Sequence, residues 1–341
     1  MNSFERIMAT IKGEKTDKRA FTATLSQYGV KYCGATNQEY YKLPEVYTKG
    51  QIAVFDKFGT DVIFGPFALS LFGNAFGADL KYYPDRPPLF KAPGIKSVEE
   101  LLDFPYPDLN SDPDLMFMRN CIKQLSAHFG NEVPVAAISL NPLDLPIMIY
   151  GMDKWLDILL FDKQAFNKTM EYIVPFFIDY TNALISDGAA CVSMPTVFAN
   201  SNSVSRQQTV DIVNPILRSA FSEINGGLVM HHGGVPFLPY LDTYRDFPPN
   251  VLGFALDWTD NYHEARKAIG NERLLFYGIE GPSMYIKQKH EIKDRCLAIL
   301  KMTEEDQKFV LNTCSSDILT QTPEENILAI GEAVSEYNNI K

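Results

Sequence analysis

Short apolar runs alternate with longer amphipathic stretches along most of the chain. The amphipathic stretches carry apolar residues at helical spacing, as Phe166, Met170 and Ile173 do within residues 163–186. Strands that alternate with helices predict an α/β protein with a parallel sheet and right-handed crossovers, and eight such units close into a (β/α)8 TIM barrel. An open sheet of roughly six to eight strands is the alternative. The apolar runs that we interpret as buried strands are Phe21–Ser26, Asp61–Gly65, Pro134–Leu140, Ala189–Met194, Gly227–His232, Val251–Asp257, Leu274–Ile279 and Lys308–Cys314.

Several segments lie outside this alternation. The chain before the first run predicts an N-terminal helical extension, and the Pro-rich residues 83–89 predict a long loop after strand 2, laid over one face. Pro215 predicts a kink in the helix over residues 207–224, and Thr322 followed by Pro-Glu-Glu predicts the N-cap of the last helix. Because no repeat or low-complexity tract interrupts the pattern, we expect a single domain over residues 1–341.

Composition narrows the classes of partner. The chain has 341 residues, of which 46% are hydrophobic, and its formal net charge is −11. It can therefore bury a large core, and it lacks the excess of positive charge that nucleic-acid binding requires. No apolar stretch is long enough to span a membrane, and five irregularly spaced cysteines do not indicate a disulfide framework. We expect reduced thiols and a cytoplasmic protein, with neither nucleic acid nor membrane as a partner.

The candidate chemistry lies where the strands end, since the catalytic groups of such barrels come from the C-terminal ends of the strands. The fifth run ends in His231 and His232, followed by two glycines, and the eighth run ends in Cys314. An imidazole and a thiolate at two strand ends are donors that zinc prefers. The candidates for substrate binding at the remaining ends are Gln27, Asn141, Met194, His232 and Trp258, and the candidates for acid–base chemistry or charge stabilisation are His231, Asp257 and Glu280.

Five short motifs, none specific alone, have the order and spacing of a known family. They are Glu5–Lys18 with its Gly-Glu-Lys turn, Gln51–Asp61, Leu256–Thr259, Gly278–Pro282 and Thr322–Asn326. In this order the chain resembles the uroporphyrinogen decarboxylase superfamily, and within it the cobalamin-dependent methyltransferases. The resemblance covers nearly the whole length and implies the same barrel that the strand count predicts.

The resemblance also implies which branch to expect. Decarboxylases of the superfamily carry an arginine-rich segment after the first strand. Residues 24–29 here read Thr-Leu-Ser-Gln-Tyr-Gly and contain no arginine. A substrate with many carboxylates would therefore lack cationic partners at this place. The methyltransferases carry a zinc-binding His-x-Cys at the fifth strand and a late cysteine. His231 and Cys314 match this pattern, but Gly233 stands where the middle cysteine is expected. Glu280 is then the expected third zinc ligand, with Asp257 either as an alternative ligand or as a hydrogen-bonded support for a barrel histidine.

One point about His232 stays open. Alternation along a strand predicts that His232 faces away from His231, unless the chain leaves strand geometry at Gly233 and Gly234. In that case His232 could replace the missing thiolate.

The resulting expectation is a corrinoid-dependent methyltransferase with a zinc Lewis acid. It would transfer a methyl group to or from the cobalamin of a partner corrinoid protein. The other partner in the transfer would be a small methylated substrate, such as a methyl ether, or a thiol acceptor. Two alternatives remain: a metal-free decarboxylase of the same barrel, and a non-catalytic partner of a corrinoid protein.

Overall fold

The computed structural model describes residues 1–197 and 200–340 of the chain. Within them, eight parallel strands form a nearly closed barrel in the order β1-β10-β9-β8-β7-β6-β5-β2, and β3 and β4 form a separate antiparallel pair. The predicted (β/α)8 architecture and all eight predicted strands are confirmed. The strands are β1 Phe21–Thr22, β2 Ile63–Phe64, β3 Asp79–Lys81, β4 Leu89–Ala92, β5 Val135–Ile138, β6 Cys191–Pro195, β7 Gly227–His231, β8 Val251–Ala255, β9 Leu274–Glu280 and β10 Phe309–Cys314.

Helices surround the barrel and follow most of its strands. None of the described helices is both long enough and apolar enough to cross a membrane. The helices are α1 Ser3–Lys12, α2 Val30–Cys33, α3 Asn37–Tyr40, α4 Pro44–Phe58, α5 Ser70–Ala75, α6 Val98–Asp103, α7 Pro113–Phe129, α8 Leu145–Tyr150, α9 Met152–Phe161, α10 Lys163–Ser186, α11 Arg206–Gln208, α12 Asn214–Ser222, α13 Leu238–Leu241, α14 Tyr262–Ile269, α15 Lys289–Met302 and α16 Glu324–Ile340.

Asp61 closes the barrel between β1 and β2. Its backbone N–H donates to the Phe21 carbonyl at 2.9 Å, and its carboxylate accepts the Phe21 N–H at 3.0 Å. The same carboxylate pairs with Arg6 of α1, whose guanidinium also binds Asp17. Because the Asp61 side chain is fully buried, this cation compensates a charge that water cannot reach. The ion pair therefore fastens the predicted N-terminal helix to the seam of the barrel.

The structure differs from the sequence prediction in three local features. The segment after β2 is more than a loop, since it contains α5, the β3–β4 hairpin, α6 and α7. A π-helical turn, Thr209–Val213, precedes Pro215, which has no N–H to continue the regular ladder. The last helix begins at Glu324, one residue later than a cap at Thr322 predicts, and Thr322 Oγ1 has no hydrogen-bond partner among the described residues, so its hydroxyl does not cap the helix.

Candidate active site at the mouth of the barrel

The ends of β7 and β10 meet across the mouth of the barrel. The two strands are separated by β8 and β9, yet the Ser315 N–H donates to His232 Nε2 at 3.0 Å. Ser315 adopts a left-handed φ of 76°, which is uncommon for a residue with a side chain. The predicted His231–His232 and Cys314 regions are thus neighbours, as the sequence argument required.

His231 faces the interior of the barrel and lines the cavity there. Its Nδ1 accepts the Gly233 N–H at 3.1 Å, which in a neutral ring leaves the proton on Nε2. Burial lowers the pKa of His231 well below its usual range; the neighbouring His232 lowers it further, and Asp257 opposes the shift. The ring is therefore a neutral imidazole with an N–H donor at Nε2.

His232 stacks on His231 with its ring centroid 4.3 Å away. Strand alternation alone predicts that it faces away, but Gly233 and Gly234 have φ values of 65° and 89°, so the chain leaves strand geometry there. Burial lowers the pKa of His232 to about 4. The backbone N–H groups of Gly234 and Ser315 point at the two ring nitrogens, and a neutral imidazole accepts from one of them at a time. A second ring proton would leave an N–H donor facing each nitrogen, so it is disfavoured.

Asp257 lies beside His232 at the mouth of the barrel. Its Oδ2 is 3.4 Å from His232 Nδ1, and its Oδ1 accepts the Thr259 N–H at 2.9 Å and also contacts the Thr259 hydroxyl. The sequence analysis missed Asp260, whose carboxylate accepts the N–H groups of Phe237, Leu238 and Asp257 at 3.0–3.1 Å. Asp260 thereby holds the chain after β8 in the position from which Asp257 reaches the histidines.

Cys314 and Glu280 are register partners at the ends of β10 and β9. The Cys314 side chain is fully buried. Burial raises the pKa of its thiol far above the usual range, and the carboxylates of Asp257, Asp260 and Glu280 add to the shift. Without a bound cation, the protonated thiol is therefore the favoured form of this side chain.

The three predicted zinc ligands, His231, Cys314 and Glu280, do not fit a zinc ion as they stand. No three His, Cys, Asp or Glu side chains form a group that could hold a metal within residues 1–197 and 200–340. A Cβ at Gly233 would lie 2.7 Å from the Thr196 carbonyl oxygen and 2.9 Å from the next backbone nitrogen. A cysteine therefore cannot occupy this position unless the backbone after β6 moves.

The remaining predicted substrate residues lie in different environments. Asn141 is fully buried, and its amide binds Asp144 and the Pro195 carbonyl while its oxygen accepts two backbone N–H groups. Met194 lies between two residues that line the barrel interior, so alternation directs it toward the helices. Gln27 lines a second cavity at the mouth, and Trp258 is exposed beside the site. Of these four, Gln27 and Trp258 border open space.

The sequence analysis also missed Asp317, three residues after β10. It is buried, lines the second cavity, and accepts the N–H groups of Ser26 and Gln27 at 2.9 and 3.2 Å. Burial raises the pKa of this carboxyl to about 7. No periodicity marked it, because it lies in the connection after the strand rather than at the strand end.

Comparisons with known proteins agree with this fold. The family model described as Uroporphyrinogen decarboxylase (URO-D) matches residues 2–337. A uroporphyrinogen decarboxylase from Pseudoalteromonas atlantica is 24% identical over 278 residues, covering 78% of this chain and 75% of the relative. The corresponding protein of Vibrio campbellii is 23% identical over 279 residues, covering 78% and 76%.

Solved structures show the same architecture. A methyltransferase from Methanosarcina mazei has a TM-score of 0.86 at 20% identity, with 99% of both chains covered. A B12-independent methionine synthase from Shewanella sp. W3-18-1 has a TM-score of 0.58 at 13% identity, covering 89% of this chain and 91% of the other. At these identities the similarity shows a shared fold.

Proposed function

Because the chain belongs to the uroporphyrinogen decarboxylase (URO-D) family of enzymes, we propose that it is a methyltransferase of that fold. The reaction would move a methyl group between a small methylated substrate, such as a methyl ether, and the cobalamin of a partner corrinoid protein. A fold neighbour described as a methyltransferase supports this choice. The absence of arginine in residues 24–29 also disfavours a substrate with many carboxylates.

The observation that carries the proposal is the neutral His231 imidazole on the wall of the barrel cavity. Its Nδ1 is occupied by the Gly233 N–H, so Nε2–H is the group it can offer a substrate. When a methyl group leaves an ether oxygen, negative charge develops on that oxygen, and a fixed N–H donor stabilises it. Because burial keeps the pKa of His231 low, the ring acts by hydrogen bonding rather than as a charged acid.

The neighbouring groups would position this donor. His232 stacks on His231, and Asp257 lies 3.4 Å from His232 Nδ1, so the second ring and the carboxylate beside it would hold the plane of the His231 ring. Glu280 lies at the end of β9 beside Cys314 and is a second carboxylate at the mouth that could transfer a proton. The partner's cobalamin would carry the methyl group. This chain would bind the substrate and stabilise the negative charge that develops on its oxygen.

Zinc bound by His231 and Cys314, which the family resemblance implies, with Glu280 as the third ligand, stays a prediction from the sequence. No step above depends on it. Metal analysis of the purified protein tests it. About one zinc per chain, lost in His231→Ala and in Cys314→Ser, would support the predicted ligand set. Metal that survives both substitutions would place any bound ion elsewhere.

The test of the function is methyl transfer from methyl ethers to free cobalamin in the Co(I) state. His231→Phe removes the N–H donor but keeps a planar ring, and we expect methyl transfer to fall by about 10²–10³-fold. His290→Phe is the matched control, since His290 is exposed on α15. A His231→Phe enzyme as active as this control would contradict the assigned role.

Decarboxylation is the second candidate, favoured by the names of the curated relatives. It predicts release of carbon dioxide from a carboxylated substrate without cobalamin, with Asp257 or Glu280 as proton donor. A non-catalytic barrel would instead bind a corrinoid protein without turnover. The two assays, together with a pull-down of the corrinoid protein, separate the three functions.

A further inference from the structure

A cavity of ≈ 270 Å³ occupies the interior of the barrel. It extends from α1, at the N-terminal end of the strands, to His231 and Ser316 at the mouth. In most barrels of this type, layers of bulky branched side chains fill this space. Here many inward positions carry small side chains, namely Thr22, Ala136, Cys191, Ser193, Gly227 and Ala255.

The N-terminal helix covers the far end of the cavity with an apolar stripe. Four residues of α1 at i, i+3, i+4 and i+7 line it: Phe4, Ile7, Met8 and Ile11. On another face of the same helix, Arg6 pairs with the buried Asp61. The floor of the cavity is therefore fixed to the barrel seam rather than loosely laid over it.

The wall of the cavity is apolar and carries no Lys, Arg, Asp or Glu among its described residues. Its polar groups include Thr22 and Asn312, which are register partners on β1 and β10. Thr22 is 1% exposed, and its Oγ1 has no hydrogen-bond partner among the described residues. A buried polar group of this kind is costly unless a ligand or water binds it.

Size and chemistry together define the occupant. An apolar cavity of about 150 Å³ engineered in another protein binds benzene, so the present space suits a larger, substituted ring. A charged ligand would lose its hydration without finding an opposite charge. The Thr22 hydroxyl and the Asn312 amide can each bond to an oxygen of the ligand.

We propose that the barrel interior receives the apolar body of the substrate, a neutral molecule of about one substituted aromatic ring that carries a hydroxyl or ether oxygen. This rests on the proposed function in one respect only, which is that His231 of the same wall meets the reacting group. Binding itself requires neither catalysis nor a corrinoid partner.

Calorimetric titration of the full chain with 2-methoxyphenol, toluene and benzoate tests the proposal. We expect saturable one-to-one binding of the two neutral compounds and binding of benzoate that is weaker by at least about tenfold. If neither neutral compound binds, or benzoate binds as well as toluene, the proposal is overturned. In that case the Thr22 hydroxyl either binds water or stays without a hydrogen-bond partner.

Two substitutions locate the site. Val229→Phe places a ring inside the cavity and should weaken toluene binding by about tenfold or more, whereas the exposed Val210→Phe should not. Thr22→Val removes the unpartnered hydroxyl and should weaken 2-methoxyphenol by about three- to tenfold while leaving toluene unchanged. Thr48→Val is its matched control, since the buried Thr48 Oγ1 also lacks a partner among the described residues but does not line the cavity.

The outcomes separate this proposal from the proposed function. The proposal is wrong if a folded Val229→Phe protein binds toluene as well as the wild type does. It is also wrong if Thr22→Val and Thr48→Val change 2-methoxyphenol binding equally. Both statements hold even if methyl transfer is found. If Val229→Phe does not fold, the Thr22→Val comparison decides alone. Intact binding with no methyl transfer to cobalamin would leave the cavity proposal standing and reject the methyltransferase.

Discussion

At the scale of single residues, Asp317 gives the clearest pH dependence. Its folded pKa of about 7 lies above the ordinary value of 3.8, so the native protein keeps a proton that the unfolded chain releases. This contribution to the free energy of unfolding is fully present below the ordinary pKa and is lost as the pH rises to about 7.

Asp317→Asn should therefore flatten the stability profile over that pH interval relative to wild type. Urea unfolding at several pH values measures it, with the exposed Asp294→Asn as the control. The buried His231 and His232 act in the opposite direction, because their lowered pKa values remove stability under acid. The difference between the two asparagine variants isolates Asp317, and equal profiles would contradict its assigned pKa.

Individual side chains were predicted unevenly, and the reasons are geometric. The sequence indicated that His231 and Cys314 would end strands on the same side of the barrel, because strand ends are readable from apolar runs. It did not establish the stacking of His232 on His231, since this depends on two consecutive left-handed glycines. Asp317 escaped notice because its hydrogen-bond partners, the N–H groups of Ser26 and Gln27, are distant in sequence.

At the scale of elements, we predict that the ion pair between α1 and the barrel seam contributes strongly to the free energy of unfolding. Arg6→Met leaves the fully buried Asp61 carboxylate without its cation, and we expect a loss of about 3–5 kcal/mol in the free energy of unfolding. Lys91→Met removes an exposed pair with Asp79 and should change stability by about 0–1 kcal/mol. Chemical denaturation compares the two, and a small effect at Arg6 would mean that the pair does not fasten α1.

The contact between β9 and β10 makes a second prediction. A Cβ at Gly278 would lie 1.6 Å from the Asn312 carbonyl oxygen, so Gly278→Ala must displace a backbone at the centre of the sheet. We expect severe destabilisation, about 3 kcal/mol or more. Gly331→Ala is the control, because its Cβ would lie 3.6 Å from the Phe21 ring and the helix gains up to about 1 kcal/mol from alanine. Similar melting temperatures for both variants would contradict the close approach.

The elements themselves were the most predictable part of the fold. Every predicted barrel strand is present. These strands could be predicted because short β-rich runs between amphipathic helices have few alternative interpretations. The hairpin after β2 was missed because β3 and β4 contain no fully buried residue, so no apolar run marked them. The π-helical turn before Pro215 was also unreadable, since a missing N–H can be accommodated by a kink or by a wider turn.

At the scale of the whole molecule, we predict one unfolding transition. Most of the buried apolar side chains among the described residues belong to one cluster, which includes residues from the barrel, the segment after β2 and α16. Residues 1–341 should therefore unfold together as the single domain that the sequence predicts. Scanning calorimetry checks this. Two separable heat-absorption peaks would show that the segment after β2 or the C-terminal helix is an independent unit.

The backbone around Gly233 limits how this chain can change. Introducing a cysteine there by a single substitution would force its Cβ against the Thr196 carbonyl, in a left-handed conformation that suits glycine. The backbone after β6 would have to move before a cysteine side chain could occupy the position. A cysteine at position 233 therefore requires compensating changes after β6, and libraries that vary position 233 alone should not yield a stable His-x-Cys variant.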